Sequence, residues 1–199
     1  MSVTTFDIFD GALEFYEDGH QYLFNGICIP SITQVIKARF GHKYDGISKE
    51  TLQRASEAGT RVHEAIEAWC KEGKESDLQE VRNFRFLQKQ YGFEVIDNEC
   101  PVVVFRDGEA VCAGRLDLVL MQGDRMGLGD IKRTSTLDKE YLAYQLNLYR
   151  IGYRQTYGIE ADFLAGLHLR ENVRKYVPLP INEGMAWDLI DEWREKCLR

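Results

Sequence analysis

The chain has 199 residues, 44% hydrophobic and 12% aromatic, enough to build one well-packed domain. Its formal charge of -7 excludes a protein that coats nucleic acid through overall positive charge, so any such partner must meet a local site. The opening MSVTTFDIFDG lacks the basic stretch and apolar core of a secretory signal, and no apolar run approaches the roughly 20 residues that cross a bilayer, so a cytosolic protein with no membrane partner is expected.

In chain order, FYEDGHQYLFNGICIPSITQVIKARFG reads as two short strands around a turn, then a short helix starting at Pro30 and Ser31, together an ordered arm over about 12–40. From Ser48 to about Glu72 the pattern is helical. Leu52, Ala55, Val62, Ile66 and Trp69 recur at helical spacing, Ser48 suits the N-cap and Glu50 suits the first turn. Residues 77–91 predict a second helix, with Leu78, Val81, Phe84 or Phe86, and Leu87 inward and a stop before Gly92.

Strand signals then dominate: FEVI, PVVVF, AVCAGRLDLVLM and MGLGDI, separated by Asp, Asn and Gly turns such as Arg106-Asp107-Gly108. DKEYLAYQLNLYRIGYRQTYG predicts a helix ending at Gly158, ADFLAGLHLR and VRKYVPL a hairpin, and INEGMAWDLIDEWREKCLR an amphipathic closing helix. This order predicts a mixed α/β or α+β domain around one sheet. The cysteines Cys28, Cys70, Cys100, Cys112 and Cys197 are scattered with no C-x-x-C pair, and read as reduced packing thiols.

Three charges interrupt the hairpin GRLDLVLMQGDRMGLGDIK: Asp117, Asp130 and Lys132. Residues two apart on a strand share a face, so Asp130 and Lys132 point one way and Ile131 the other, and Asp117 reaches the same face if the hairpin twists or bulges. Two carboxylates suit a hard divalent ion such as Mg²⁺, and a nearby ammonium suits a phosphoryl group under attack. A cross-strand ion pair of Asp117 with Lys132, with Asp130 as a turn residue, accounts for the same string structurally.

On the first long helix, Gly59, His63 and Glu67 are spaced i, i+4, i+8 along one strip. A mid-helix glycine costs about 1 kcal/mol relative to alanine, which suggests that something approaches the backbone there. His63 then reads as an imidazole ligand aimed at the carboxylates, or as a histidine bordering the core. Tyr141, Gln145 and Tyr149 form a similar strip on the helix after the hairpin; they read as core, or as groups that stack on bases and bond sugars and phosphates, with Arg133, Thr134 and Ser135 adding donors.

Taken in order, G-T-R-V-H at 59–63, G-R-L-D at 114–117, D-I-K at 130–132 and Q-L-N-L-Y at 145–149 resemble the PD-(D/E)XK nuclease superfamily, in its RecB-like and phage exonuclease branch. H-Q-Y-L-F-N-G-I-C-I-P-S-I-T at 20–33 is similar to the opening of many phage nucleases of this type. The resemblance implies a restriction-endonuclease-like domain with a central mixed sheet flanked by helices. It implies Mg²⁺ or Mn²⁺ held by His63, Asp117, Asp130 and the Ile131 carbonyl, with Lys132 catalytic and Gln145 and Tyr149 supporting the site or touching DNA. Leu116 stands where the superfamily's name has proline, as is common in this branch. The cysteine set that some relatives use for an iron–sulfur cluster is missing, so no cluster is expected.

Glu99, shortly before PVVVF, reads as a carboxylate at the site's rim or as a solvated turn residue. Glu64 and Glu67 are expected to face solvent or support the ligands, and His20 to support the arm. The function expected is a metal-dependent deoxyribonuclease, an exonuclease acting on linear ends or single-stranded regions in phage recombination, replication or repair. A second copy or a recombination partner protein would supply processivity. A catalytically idle nuclease fold that binds DNA or protein, and a metal-dependent phosphatase, are the alternatives.

Overall fold

The computed structural model describes residues 3–8, 11–41, 46 and 48–197. Among them the chain forms a mixed α+β fold of two sheets and five helices. The first sheet is antiparallel, in the order β1 (Val3–Ile8), β2 (Gly11–Tyr16), β3 (Gln21–Phe24), β4 (Ile27–Ile29). The arm expected over 12–40 is therefore larger than two strands and begins at Val3. Most of β1 is exposed and it pairs only with β2, which is why apolar alternation gave it no signal.

Helix α1 (Ile32–Phe40) starts where Ser31 and Gln34 cap each other reciprocally: Gln34 N–H donates to Ser31 Oγ at 3.1 Å, and Ser31 N–H to Gln34 Oε1 at 2.8 Å. Helix α2 (Lys49–Glu72) begins on Ser48, whose hydroxyl accepts from Thr51 N at 3.2 Å. Only Val62 and Ile66 of α2 are buried. Leu52 and Ala55, expected on the inner face, lie instead at the mouth of a cleft, because the helix overhangs the sheet at its N-terminal half. Helix α3 (Gln79–Tyr91) resolves the choice left open within its apolar stripe: Phe84 is buried and Phe86 exposed.

The second sheet runs β5 (Glu94–Arg106), β6 (Glu109–Gln122), β7 (Arg125–Lys132), β8 (Phe163–Arg170), β9 (Val173–Leu179). FEVI and PVVVF are one strand, since Pro101 is accommodated within β5, itself an edge strand of the sheet. Only β7 and β8 are parallel, joined through α4 (Lys139–Tyr157); the other pairs are antiparallel. Helix α5 (Glu183–Cys197) closes the described chain, while residues 198–199 of the expected last helix lie outside it.

Three apolar clusters hold these layers. One joins α1, α4 and α5 to one face of the second sheet, and another joins α2 and α3 to its opposite face. The third packs the N-terminal sheet on Val103 and Ala113. Helix α4 comes very close to the sheet: a Cβ at Gly166 would lie 2.4 Å from a Leu142 methyl, so only glycine fits there. Burial of nearly the whole of α4 fixes its position relative to the end of β7, where the charged residues lie.

Candidate metal centre

The charged hairpin turns through Gly123 and Asp124, and β6–β7 pairing runs from Gln122↔Arg125 to Leu118↔Gly129. Continuing that register sets Asp117 opposite Asp130. Among the described residues, the β6–β7 ladder ends at Leu118↔Gly129. Asp117 substitutes for it, its Oδ2 accepting the Ile131 N–H at 2.7 Å.

From the other side of the sheet, α2 brings His63. Its Nε2 lies 3.1 Å from the Ile131 carbonyl, which can only accept, so Nε2 carries the proton. In the neutral ring Nδ1 then presents its lone pair 3.6 Å from Asp117 Oδ2. Glu99 completes the group: donor atoms of His63, Glu99 and Asp117 lie within 4.8 Å of one another. Asn98 pairs with Leu118 and Cys100 with Leu116, so strand register sets Glu99 directly across from Asp117. Glu99 holds a left-handed backbone (φ 54°), uncommon for a residue with a side chain. Burial, reinforced by the Asp117 charge, pushes its carboxyl up to about 7.

Asp130 is fully buried and stands outside that three-residue group. The Lys132 ammonium rests on its Oδ2, while among the described residues no hydrogen-bond donor meets its Oδ1. Burial raises the Asp130 carboxyl, Lys132 opposes the shift and Asp117 adds to it. Lone pairs and carboxylates facing one another at close range favour a cation among them. The donor set of carboxylate oxygens, a carbonyl and one imidazole fits a hard or borderline divalent ion such as Mg²⁺ or Mn²⁺.

These groups lie at the foot of a cleft of about 990 Å³, walled by α2, the N-terminal sheet and residues 134–138. Gly59 faces this space, and a Cβ there would meet nothing within 4 Å. Hydroxyls of Thr51, Ser56, Thr60, Thr134, Ser135 and Thr136 edge the cleft. Glu67 lines it while pairing with Lys71 at 2.6 Å, and Glu64 lines it from an exposed position.

Two expectations need correction. Arg133 is not beside the carboxylates. Strand alternation sends it to the face opposite Lys132, where its Nε meets the buried Glu80 of α3 at 2.8 Å. Tyr141, Gln145 and Tyr149 do border the cleft, yet all three are buried and so offer no open stacking face; α4 packs too closely on the sheet to expose them. Tyr149 instead fills the space left by Gly114, where a Cβ would stand 3.0 Å from its ring, and Gln145 bonds its hydroxyl. His20 supports the arm as expected, with its ring edge-on to Phe15 and Tyr22, and it also lines the cleft.

Sequence reasoning also missed His168. It is buried on β8, in register with Lys132, and its Nε2–H donates to the Thr134 carbonyl at 2.7 Å, tethering the loop after β7. The signal was its apolar strand context, which favours a histidine with a defined partner.

No protein family's profile matches the chain, and no curated protein does. Among solved structures, the crystal structure of SSO0001 is similar over 83% of this chain and 75% of its own, at 12% identity and a TM-score of 0.46. Similarity at that level carries nothing for function, which has to be argued from the residues. No helix among the described residues is long and apolar enough to cross a membrane.

Proposed function

We propose that this chain is a Mg²⁺- or Mn²⁺-dependent deoxyribonuclease of PD-(D/E)XK type, hydrolysing phosphodiester bonds from the ends of linear DNA. The observation that carries the reading is Asp130, a fully buried carboxylate whose Oδ2 meets the Lys132 ammonium, whose Oδ1 meets no donor among the described residues, and which is set beside Asp117. Burial makes this charge costly even with the Lys132 ammonium against it, and a divalent ion suits these oxygens.

His63, Asp117 and Asp130 hold the ion in this reading, with Glu99 as a further carboxylate and Ile131 presenting its carbonyl. When bound, the ion supplies Lewis acidity and offsets phosphoryl charge. Lys132 holds its ammonium on the carboxylate face, where it orients a water or stabilises oxygens that gain charge during displacement. Thr134 and the neighbouring hydroxyls donate to the phosphates and sugars of the entering strand. Tyr149, Gln145 and Tyr141 form the rigid floor beneath them. A short cleft whose aromatic rings are closed off suits a frayed terminus better than an uninterrupted duplex.

Incubating linear and covalently closed DNA with Mg²⁺, Mn²⁺ or EDTA tests this reading. Metal-dependent loss of linear DNA with circles spared is the expected result. Equal nicking of circles would make the chain an endonuclease. Binding without cleavage under every metal condition would make it an idle DNA-binding module.

A further inference from the structure

Among the described residues, six that line the cleft are carboxylates: Glu64, Glu67, Glu99, Asp117, Asp130 and Asp138. The lysine and arginine side chains that line it, among the described residues, are Lys132 and Arg115. Lys132 is engaged with Asp130, which leaves Arg115 as the cation to receive an anionic polymer.

Arg115 is set for that task and also restrained from it. Its guanidinium lies over the Phe15 ring, 5.0 Å from the centroid, so the N-terminal sheet steers it toward the cleft. Its Nε meets Glu99 Oε2 at 3.2 Å, with 37% of the arginine side chain and 22% of the glutamate side chain exposed. Glu99 has two claims on its charge: Arg115 on one side, His63 and Asp117 on the other.

We propose that Arg115 is the phosphate-binding residue of the cleft and that Glu99 is the positioning residue that releases it. Without a divalent ion, Glu99 neutralises Arg115. When Glu99 turns its charge to an ion shared with His63 and Asp117, the guanidinium is freed for a substrate phosphate, which it binds through paired N–H donors. DNA and metal affinity are therefore coupled, and each ligand tightens the other by the same factor. The inference rests on the nuclease reading above.

The test measures binding of a fluorescein-labelled DNA duplex with a single-stranded overhang, by anisotropy, in the non-cleaving Lys132→Met background with Mn²⁺ or EDTA. Calorimetry of Mn²⁺ with and without the DNA supplies the reciprocal measurement. The parent should bind DNA about tenfold more tightly in Mn²⁺, and Arg115→Ala should remove that gain while Arg115→Lys retains part of it. Glu99→Gln should tighten binding several-fold in EDTA only while Arg115 is present. An equal gain from Glu99→Gln with alanine at 115 would reduce the effect to simple charge removal and overturn the coupling. So would Mn²⁺-strengthened binding that survives Arg115→Ala. Failure of the unsubstituted chain to cleave DNA in Mn²⁺ would overturn the nuclease reading and this inference together; cleavage with an additive cycle overturns this inference alone.

Discussion

Asp117 Oδ2 accepts the backbone N–H of Ile131 at 2.7 Å, just past the end of the β6–β7 pairing. This bond ties a side chain of one strand to the backbone beside Asp130 on the next, and so keeps two like charges together. Asp117→Ala and Asp130→Ala should each lower metal-dependent cleavage at least about 10²-fold. Their stabilities should differ. Asp117→Ala unpairs the Ile131 N–H and should cost about 1–3 kcal/mol, whereas Asp130→Ala removes a carboxylate whose burial outweighs its pairing with Lys132 and should leave metal-free Tm unchanged or higher. Near-normal turnover in either variant would remove the residue from the site.

Lys132→Met should separate chemistry from binding. The ammonium touches Asp130 and faces the cleft, so its loss removes a charge that acts on water or phosphate while the other donors remain. Single-turnover cleavage should collapse while calorimetric Mn²⁺ affinity persists. Lost metal binding with preserved turnover per bound complex would reverse that assignment.

Glu99 predicts a pH signature. Its folded carboxyl titrates at about 7, against an ordinary 4.5, chiefly because of burial. Between those values the folded chain binds more protons than the unfolded chain, so the contribution of Glu99 to stability is full below 4.5 and is lost as pH rises through about 7. In EDTA, Glu99→Gln should flatten the fall of Tm across this window and raise Tm at about pH 8. Asp130, raised in the same direction by burial, leaves a residual slope. A slope unchanged by Glu99→Gln would place the titration elsewhere.

Arg133 separates stability from chemistry in the opposite sense. Its partner Glu80 is 3% exposed, and removing the guanidinium leaves that carboxylate buried without its cation. Arg133→Ala should therefore destabilise the chain by about 3 kcal/mol in denaturant melts, with cleavage per folded molecule unchanged. A stable variant that loses DNA affinity would return Arg133 to the nucleic-acid site.

The contrast between Arg133 and Glu99 shows what the sequence could convey. The D-I-K string, the helix start at Ser31, the cap at Ser48 and the approach of His63 follow from local spacing, and each appears in the fold. Arg133 was misplaced because chain adjacency was given more weight than strand alternation, although the alternation was legible. The burial of Tyr141, Gln145 and Tyr149 depends on how closely α4 packs, which helical spacing alone does not set. Glu99 meets Asp117 through the β5–β6 register, which includes irregularities at Val95/Asp97 and Val104/Phe105. Only the paired strands reveal such a long-range shift.

Gly59 provides the last prediction. It interrupts α2, yet an added Cβ would meet nothing within 4 Å, so no neighbour in the fold demands glycine. Gly59→Ala should stabilise the helix by about 1 kcal/mol and leave cleavage close to normal, because one methyl occupies little of the cleft. Gly59→Phe keeps a helical residue but extends a ring into the space leading to His63, one turn further along α2. It should fold with near-normal Tm and bind Mn²⁺, while KM for linear DNA rises at least about tenfold with kcat less affected, since the obstruction precedes chemistry. Unchanged KM in the phenylalanine variant would mean that substrate enters from another side, and would direct attention to the wall formed by residues 134–138.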